Sequence, residues 1–473
     1  MDKMETVLAT VLKRVMPDVA ERKKIEALAK KLEKKVSSAA ERLGVEAQVR
    51  VEGSVAKDTW LSREPDVDVF MRVPTSIPRA KLGEVCLKIA RAATKGAKQV
   101  ERFAEHPYLE AFVDDVRVNI VPCYDSKPMD WLSATDRTPF HTDYVNKRLD
   151  GKMRNEVRLL KKFMKGISAY GAEIKIGGFS GYLCELLVLR YGSFLEVVEA
   201  FAGHKQRLVI DIEGFYADRR RELDLLFEEP LVVVDPVDRA RNVASAVRKQ
   251  RLYTFIAASQ GFLKKSKLEF FYPPKTVPFS MSKLKSELKK RGSAVVFVTF
   301  GKVGVVSDIL WGQLYKSQRS LRKLVELSDF AVLRDVPWSD EKGLNVFAFE
   351  LEDCCVSPVK LHLGPPLDKG VECERFVGKH LGRAETFCGP YVDGDRWVVL
   401  VKRKYTDACG LLREKLKDGG KNAGVAEGLS YVLKKGFNVL VNEEIVKVYG
   451  KNKQFAVFLT DFLVGKPEWL EAA

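Results

Sequence analysis

Two aspartates separated by one residue are the residues whose type and spacing point most directly to chemistry in this chain. They stand in the segment Asp66-Val67-Asp68-Val69-Phe70, where polar and apolar residues alternate as they do in a β-strand. Because successive side chains of a strand face opposite ways, the two carboxylates are expected on one face. Such a pair suits a Mg²⁺ ion that carries the phosphates of a substrate. The segment therefore predicts a metal and phosphate site.

A glycine and a serine, Gly53 and Ser54, lie between this strand and an earlier one predicted over residues 45–51. Small residues at such a turn let backbone N–H groups and a hydroxyl approach an anion closely. A Gly-Ser pair alone carries little information, and an Asp-x-Asp segment is often a solvated strand edge. Joined at this spacing, strand, turn and strand are typical of the head of a nucleotidyltransferase.

The charge of the chain indicates the class of its partners. The 473 residues carry a formal net charge of +16, which favours a polyanion, with nucleic acid first and an anionic membrane surface second. No apolar run approaches the roughly 18 residues that a membrane span requires, so a span is excluded. The first residues mix charges and resemble no signal peptide, which predicts a cytoplasmic protein. The eight cysteines include no C-x-x-C pair and are expected to be reduced thiols.

The element pattern predicts an α+β protein of several domains. Helices over residues 25–43 and 81–98, with strands over 108–113 and 116–121, predict a head with a mixed sheet ending near residue 140. Residues 141–257 are predicted to form a mainly helical central domain with one buried strand at 231–235. The order β-α-β-β between residues 294 and 351 predicts a ferredoxin-like or RNA-recognition-like module in a body and tail over 258–473.

Several longer segments resemble one family, the archaeal (class I) CCA-adding enzymes, which are tRNA nucleotidyltransferases. The resemblance covers essentially the whole chain and is most specific in the middle. The segments that carry it are Glu52-Gly53-Ser54, Asp58-Thr59-Trp60-Leu61, Ala104-Glu105-His106-Pro107-Tyr108, Val121-Pro122-Cys123-Tyr124, Asp136-Arg137-Thr138-Pro139-Phe140-His141, Asn155-Glu156-Val157-Arg158-Leu159-Leu160-Lys161, Tyr170-Gly171-Ala172-Glu173, Gly178-Phe179-Ser180-Gly181-Tyr182-Leu183-Cys184-Glu185-Leu186, Val234-Asp235-Pro236-Val237-Asp238, Arg241-Asn242-Val243-Ala244 and Gly420-Lys421-Asn422.

The resemblance implies a reaction and a set of site residues. It implies that C, C and A are added to the 3′ end of tRNA from CTP and ATP without a nucleic-acid template, releasing pyrophosphate. Asp66 and Asp68 would hold Mg²⁺ in a two-metal site. It also implies a homodimer. The residues implied to bind ATP and CTP are Ser54, Lys57, His141, Lys161, Tyr170 and, for the base, Arg241.

Two positions depart from the family pattern. Lys57 stands where the family has an arginine, which keeps the charge but loses the forked donor geometry. Asn119 stands where the family has the third catalytic and metal-binding carboxylate, and an amide oxygen is a weak, uncharged ligand. Asp115 shares the strand face of Asn119 but lies about 13 Å away at roughly 3.3 Å per residue. Reduced activity is therefore expected.

Three functions remain open from the sequence. The first is a CCA-adding enzyme. The second is a tRNA-binding relative, or a trapped variant, whose catalysis is impaired because residue 119 is Asn119. The third is a relative with another product, such as a poly(A) polymerase or a 2′-5′ oligoadenylate synthetase, which share the head. The match from Asn155 to Leu186 and through the tail argues against the third.

Overall fold

The computed structural model describes residues 3–103, 105–204 and 206–472, so Ala104 of the Ala-Glu-His-Pro-Tyr segment lies outside the described residues. The chain forms two compact units. The first comprises Met1–Lys275 together with Lys466–Ala473, and the second comprises Thr276–Gly465. The predicted division into 1–140, 141–257 and 258–473 stays a prediction. Within the described part of the chain, no helix is both long enough and apolar enough to cross a membrane.

The first unit contains a mixed five-stranded sheet and most of the helices. Its helices are α1 (Lys3–Val15), α2 (Val19–Arg42), α3 (Gly53–Ala56), α4 (Arg79–Ala93), α5 (Thr138–Arg148), α6 (Gly151–Gly166), α7 (Gly181–Tyr191), α8 (Phe194–Ala202), α9 (Arg220–Leu226) and α10 (Lys249–Lys264). Its strands are β1 (Gln48–Glu52), β2 (Asp66–Val73), β3 (Lys98–Phe103), β4 (Pro107–Val113), β5 (Val116–Tyr124), β6 (Leu208–Ile210), β7 (Leu231–Asp235) and β8 (Asp238–Asn242). Its 3₁₀ helices are Ala134–Arg137, Leu268–Phe270 and Glu468–Ala472.

The sheet of the head has the strand order β1-β2-β5-β4-β3. Strands β2 and β5 are parallel and the other neighbours are antiparallel, which confirms the predicted mixed sheet. Helices α2 and α4 pack apolar faces on it, as their helical spacing predicts. Strands β4 and β5 join at Asp114 and Asp115, both with φ near +60° as in a type I′ hairpin turn. The sheet therefore brings β2 and β5, the two strands with candidate site residues, side by side.

The predicted helix over residues 81–98 is wrong at its end. Helix α4 stops at Ala93, Gly96 has φ +91°, and strand β3 begins at Lys98. Strand β3 is an edge strand, and it is mostly exposed on both faces. It consequently lacks the apolar alternation by which a half-buried strand is detected in a sequence.

The centre of the first unit is helical, as predicted, but it also has a small sheet of order β6-β7-β8. Strand β7 is fully buried and ends before Pro236, as predicted. Phe163 of α6 is the middle of an aromatic core and packs edge-on or stacked against five other phenylalanines. Aromatic pairs of this kind contribute about 0.5–1.5 kcal/mol each beyond the area they bury. The core fixes the positions of α6 and α7, which both carry candidate site residues.

The second unit confirms the predicted ferredoxin-like module. Its main sheet has the order β10-β11-β9-β15, all antiparallel, which is the order that a β-α-β-β-α-β chain makes. A separate sheet has the order β12-β14-β13. The strands are β9 (Ala294–Phe300), β10 (Val332–Ser339), β11 (Asn345–Leu351), β12 (Val359–Pro366), β13 (Thr386–Asp393), β14 (Arg396–Lys402) and β15 (Phe437–Val441). The helices are α11 (Met281–Lys290), α12 (Ser307–Leu327), α13 (Gly370–His380), α14 (Ala408–Leu416), α15 (Glu427–Lys435), α16 (Val446–Lys451) and α17 (Lys453–Val464), with 3₁₀ helices at Lys421–Ala423 and Asn442–Ile445.

Candidate functional site

The two aspartates lie on one face of β2, as the alternation predicts, and β5 lies directly beside them. Asp66 is in register with Arg117, and Asp68 is in register with Asn119. The guanidinium of Arg117 donates from Nε to Asp66 Oδ1 at 2.7 Å and from its second nitrogen to Oδ2. Asn119 Nδ2 donates to Asp68 Oδ1 at 2.9 Å. Each aspartate therefore already has one donor from the neighbouring strand.

The electrostatics of Asp68 favour a cation. Burial raises the pKa of its carboxyl group to about 6, the hydrogen bond from Asn119 opposes this, and the charge of Asp66 adds to it. A half-buried carboxylate whose contact is an amide gains from a positive charge nearby. The donor set of two carboxylates and an amide oxygen on one face fits a hard divalent cation.

Gly53 is required for its backbone conformation and for its lack of a side chain. Its φ is +72°, which other residues rarely adopt. A Cβ atom at this position would lie 2.3 Å from Asp68 Oδ2. The glycine therefore brings the start of α3, with Ser54, directly against the carboxylate. The turn predicted at Gly53 and Ser54 is in fact the first part of this short helix.

The carboxylate of Glu52 lies next to Asp68 on the same sheet face. Glu52 is the last residue of β1, is paired in register with Asp68 and is fully buried. Burial raises its pKa to about 7, while the charge of Arg50 acts in the opposite direction. Arg50 Nε lies 3.1 Å from Glu52 Oε1. The site therefore combines several acidic groups in a partly dry environment.

A buried cluster of two lysines and one glutamate lies behind the start of α3. Lys57 Nζ donates to Glu185 Oε2 at 2.5 Å, and Lys161 Nζ donates to Glu185 Oε1 at 3.1 Å. Thr59 Oγ1 donates to Glu185 Oε1 at 2.6 Å and accepts from Lys161 Nζ at 2.9 Å. None of the four residues is more than 5% exposed. The cluster ties the head to α6 and α7.

The charges of this cluster are unequal because two ammonium groups share one carboxylate. Burial alone would raise the pKa of Glu185, but the charges of Lys57 and Lys161, with hydrogen bonds from Lys57 and Thr59, lower it to about 2. The pKa of Lys161 is lowered, first by burial and then by the charge of Lys57, against the attraction of Glu185. The carboxylate is thus firmly ionised, and two lysine side chains share it.

Asp58, between Lys57 and Thr59, is also held by residues from elsewhere. Its φ is +50°, and its carboxylate accepts from Arg22 and, at 2.6 Å, from Arg158. The Arg158 guanidinium is buried and also donates from Nε to the carbonyl of Trp60 at 3.0 Å. Three consecutive residues after α3 therefore have side chains fixed by α6 or α7.

A second buried carboxylate, Asp235, organises the other predicted site residues. Its Oδ2 lies 2.9 Å from His141 Nε2 and accepts from Arg241 at 2.6 Å, and its Oδ1 accepts from the Tyr182 hydroxyl at 3.2 Å. His141 stacks on Tyr182 with ring centroids 4.1 Å apart, and Lys57 Nζ lies 5.4 Å from the Tyr182 ring centroid. Burial lowers the pKa of His141 below its ordinary value, against the attraction of Asp235. The imidazole is therefore held neutral and oriented.

A cavity of about 360 Å³ joins part of the predicted set. Ser54, Asp66, Lys161 and Tyr170 all line it. A Cβ atom on Gly181 would lie 3.1 Å from the Tyr170 hydroxyl and 3.4 Å from Lys161 Nζ, so these two groups lie beside each other. The other five predicted residues do not line this cavity. Lys57 connects to it through Glu185, and Asp68 through the strand that it shares with Asp66, with Asn119 bonded to Asp68. His141 and Arg241 connect through Asp235 and Tyr182.

Sequence reasoning did not assign roles to Glu185 and Asp235, although both stand in the quoted segments. Glu185 had a detectable signal, because it is the one charged residue within the apolar run 183–189 of the sequence. A charge in a buried helix requires a partner. Asp235 ends a fully buried strand, which gives a similar signal.

Comparisons with known proteins identify the families that this chain resembles. Three family profiles match: "Nucleotidyltransferase domain" at residues 25–141, "tRNA nucleotidyltransferase, second domain" at 155–272, and "CCA-adding enzyme, C-terminal domain" at 291–442. Among solved structures, a cytoplasmic RNA terminal U-transferase aligns with 57% of this chain and 98% of its own, with TM-score 0.45 and 13% identity, which is too low for conclusions about function.

Curated relatives match over nearly their whole length. The CCA-adding enzyme of Methanosarcina barkeri is 36% identical over 97% of this chain and 98% of its own. Those of Methanosarcina mazei and Methanothermobacter thermautotrophicus are 37% and 35% identical, with at least 96% of each chain covered. These matches over nearly the whole length place the protein: the chain belongs to the family of CCA-adding enzymes.

Proposed function

We propose that this protein adds C, C and A to the 3′ end of tRNA, using CTP and ATP and releasing pyrophosphate. The observation that carries the proposal is the 35–37% identity to CCA-adding enzymes over at least 96% of this chain. A metal-dependent nucleotidyltransferase needs paired carboxylates next to a space for a triphosphate. Asp66 beside the cavity and Asp68 beside Gly53 supply that arrangement.

Asp66 and Asp68 are the residues that we propose to hold the divalent cation, with Asn119 next to them. Mg²⁺ in a two-metal site would neutralise the triphosphate and stabilise the attacking and leaving oxygens. Arg117 would have to turn away from Asp66, and its side chain is 47% exposed, so solvent is available to it. The hard oxygen donors on β2 and β5 support Mg²⁺ over softer metals.

We propose that the triphosphate binds in the cavity between Ser54 and Lys161. Ser54 offers a hydroxyl at the start of α3, and Lys161 lines the same space. The two lysines that share Glu185 are proposed to attract phosphate oxygens, Lys161 at the cavity and Lys57 from its position against Glu185. Tyr170, at the same cavity, is proposed to contact the ribose.

Arg241 and His141 are proposed to face the base side of the nucleotide. Asp235 holds one nitrogen of the Arg241 guanidinium, which leaves its other donors for a ligand. The Arg241 side chain is 35% exposed, unlike the buried His141. An oriented and partly exposed fork of donors is suited to the base edge that distinguishes cytosine and adenine from uracil and guanine.

Arg241→Ala should therefore reduce base selection more than nucleotide affinity. Most binding energy is expected from the triphosphate and its cation, whereas Arg241 acts on the base. Incorporation of UMP or GMP relative to CMP should rise by about 10-fold or more, because a good base-edge contact is worth about 1–3 kcal/mol. Single-nucleotide incorporation measured with each of the four nucleotides checks this. Arg239→Ala, two residues away on β8 and exposed, is the matched control. Unchanged selection in Arg241→Ala would remove it from base reading.

The reaction itself is tested with radiolabelled tRNA that lacks its terminal CCA. Incubation with CTP alone should extend the tRNA by two nucleotides, and CTP with ATP should extend it by three. Extension with ATP alone into a long tail would indicate a poly(A) polymerase. Tight tRNA binding without any extension would indicate the impaired relative that Asn119 suggests.

tRNA affinity should fall steeply with salt. The chain carries a net charge of +16, and helix α12 exposes Lys316, Arg319 and Lys323, whereas Arg322 is paired with Asp335 and Glu326. For roughly six phosphate contacts, affinity should drop by about 10³ between about 50 and 200 mM salt. Filter binding across a salt series measures the slope. A flat response would contradict binding through phosphate contacts.

Two further parts of the proposal concern the protein in the cell. A homodimer is proposed from the family resemblance, and sedimentation equilibrium of the full chain decides between monomer and dimer.

A cytoplasmic location is proposed because tRNA is the substrate, and cell fractionation checks it.

A further inference from the structure

A glutamate on β4 lies in the same row of the sheet as the candidate cation site. Glu110 is in register with Asn119, and Asn119 is in register with Asp68 on its other side. Residues paired in register share a face, so Asp68, Asn119 and Glu110 form one row across β2, β5 and β4. The amide at residue 119 thus has a carboxylate on each side.

The surroundings of Glu110 place its negative charge close to the site. Glu110 is 6% exposed, and its Oε1 accepts from Arg102 at 2.8 Å. Its Oε2 lies 4.0 Å from a nitrogen of Arg117, whose other nitrogens hold Asp66. One guanidinium therefore lies between Asp66 and Glu110.

We infer that Glu110 supplies, from the next strand, the third carboxylate that position 119 lacks, and that it turns toward the cation when the metal is bound. This inference rests on the proposed function. The Cβ atoms of paired residues are about 4.5–5.5 Å apart, and a glutamate is one methylene longer than an aspartate, so its carboxylate reaches toward the neighbouring position. Its partner Arg102 is 47% exposed and can release it to solvent.

Asp115 does not compete for this role. It lines the cavity with Asp66, but it lies in the turn before β5, four residues from Asn119 and about 13 Å away at roughly 3.3 Å per residue. The alternative is that Glu110 only forms an ion pair with Arg102. The cation role and the ion-pair role predict different results for Glu110→Gln and Arg102→Met.

Binding of Mn²⁺ to the full-length protein with CTP, followed by electron paramagnetic resonance of the free ion, is the direct test. Two Mn²⁺ ions are expected to bind, one more weakly than the other. Glu110→Gln should lower the affinity for the more weakly bound ion by about tenfold or more, as loss of a carboxylate near a metal does. Glu101→Gln on β3, whose glutamate pairs with Arg91, should leave it unchanged. Arg102→Met should keep or strengthen Mn²⁺ binding. Equal Mn²⁺ binding by wild type and Glu110→Gln would overturn the inference, and so would an equal loss in Arg102→Met.

A double-mutant cycle in kcat separates this inference from the proposed function. Glu110→Gln should lower kcat about 10²-fold in the natural sequence but less than about threefold when combined with Asn119→Asp, which restores the carboxylate. Equal losses from Glu110→Gln in the natural and the Asn119→Asp backgrounds would contradict the inference. If neither the wild type nor any variant extends tRNA, the proposed function is contradicted instead. Thermal unfolding curves of the variants that match the wild-type curve exclude misfolding.

Discussion

Replacing Asp68 with asparagine is expected to lower the rate of nucleotide addition by at least about 10³-fold, or about 4 kcal/mol of barrier. The variant would place two amides, at residues 68 and 119, beside each other in the sheet. The remaining aspartate, Asp66, forms an ion pair with Arg117, and this positive charge weakens the attraction between Asp66 and a cation. Single-turnover extension of tRNA lacking CCA, at saturating CTP, measures the loss.

The control for this variant is Asp114→Asn in the turn between β4 and β5. Asp114 is exposed and has φ +51°, a conformation that asparagine tolerates, so folding and rate should be unchanged. Asp68→Asn should still bind tRNA, because phosphate contacts do not depend on the cation site. A rate within tenfold of wild type would contradict the assignment of Asp68.

The second large effect is expected on stability, from Glu185→Gln. The substitution leaves Lys57 and Lys161 buried without their shared carboxylate. Breaking a buried ion pair by removal of one partner typically costs about 3–5 kcal/mol. Urea unfolding followed by circular dichroism should show this decrease in the free energy of unfolding. The combined variant with Lys161→Met should recover part of it, since one unpaired ammonium is removed.

The exposed glutamate Glu199 on α8 provides the control, and Glu199→Gln should change stability by less than about 0.5 kcal/mol. The pH dependence gives a second check. Because the pKa of Glu185 falls from its ordinary 4.5 to about 2 in the folded state, its contribution is complete above pH 4.5 and is lost as the pH falls toward 2. Wild type should therefore lose stability over that range, and Glu185→Gln should lose less. Equal stability of the two proteins at neutral pH would mean that the buried charges are not coupled.

The sequence was sufficient for the parts of the site that depend on local periodicity. The alternation around Asp66 and Asp68 predicts their shared face, and the two aspartates at 114 and 115 predict the hairpin turn. Edge strand β3 could not be found in this way because neither of its faces is buried. Its absence from the prediction also hid the full width of the sheet.

The pairing of charges could not be predicted, because it joins residues far apart in the chain. His141 and Asp235 are separated by 94 positions, and Lys57 and Glu185 by 128. A charged residue within an apolar segment of the sequence indicates that the charge needs a partner. Only the packed fold shows which residue is that partner. The resemblance also implies that Lys57 binds the nucleotide, whereas its ammonium is bonded to Glu185.

Residues 57–59 form hydrogen bonds and ion pairs with α6 and α7, and this has a consequence for synthesis on the ribosome. Helix α3, which carries Ser54, emerges early, but Glu185, the partner of Lys57 and Thr59, emerges 128 and 126 residues after them. Domains generally fold as they are made, beginning with the N-terminal one. The nascent head would therefore expose Lys57 without its carboxylate partner until α7 has left the exit tunnel, and the nucleotide site assembles only after residue 191 has been made.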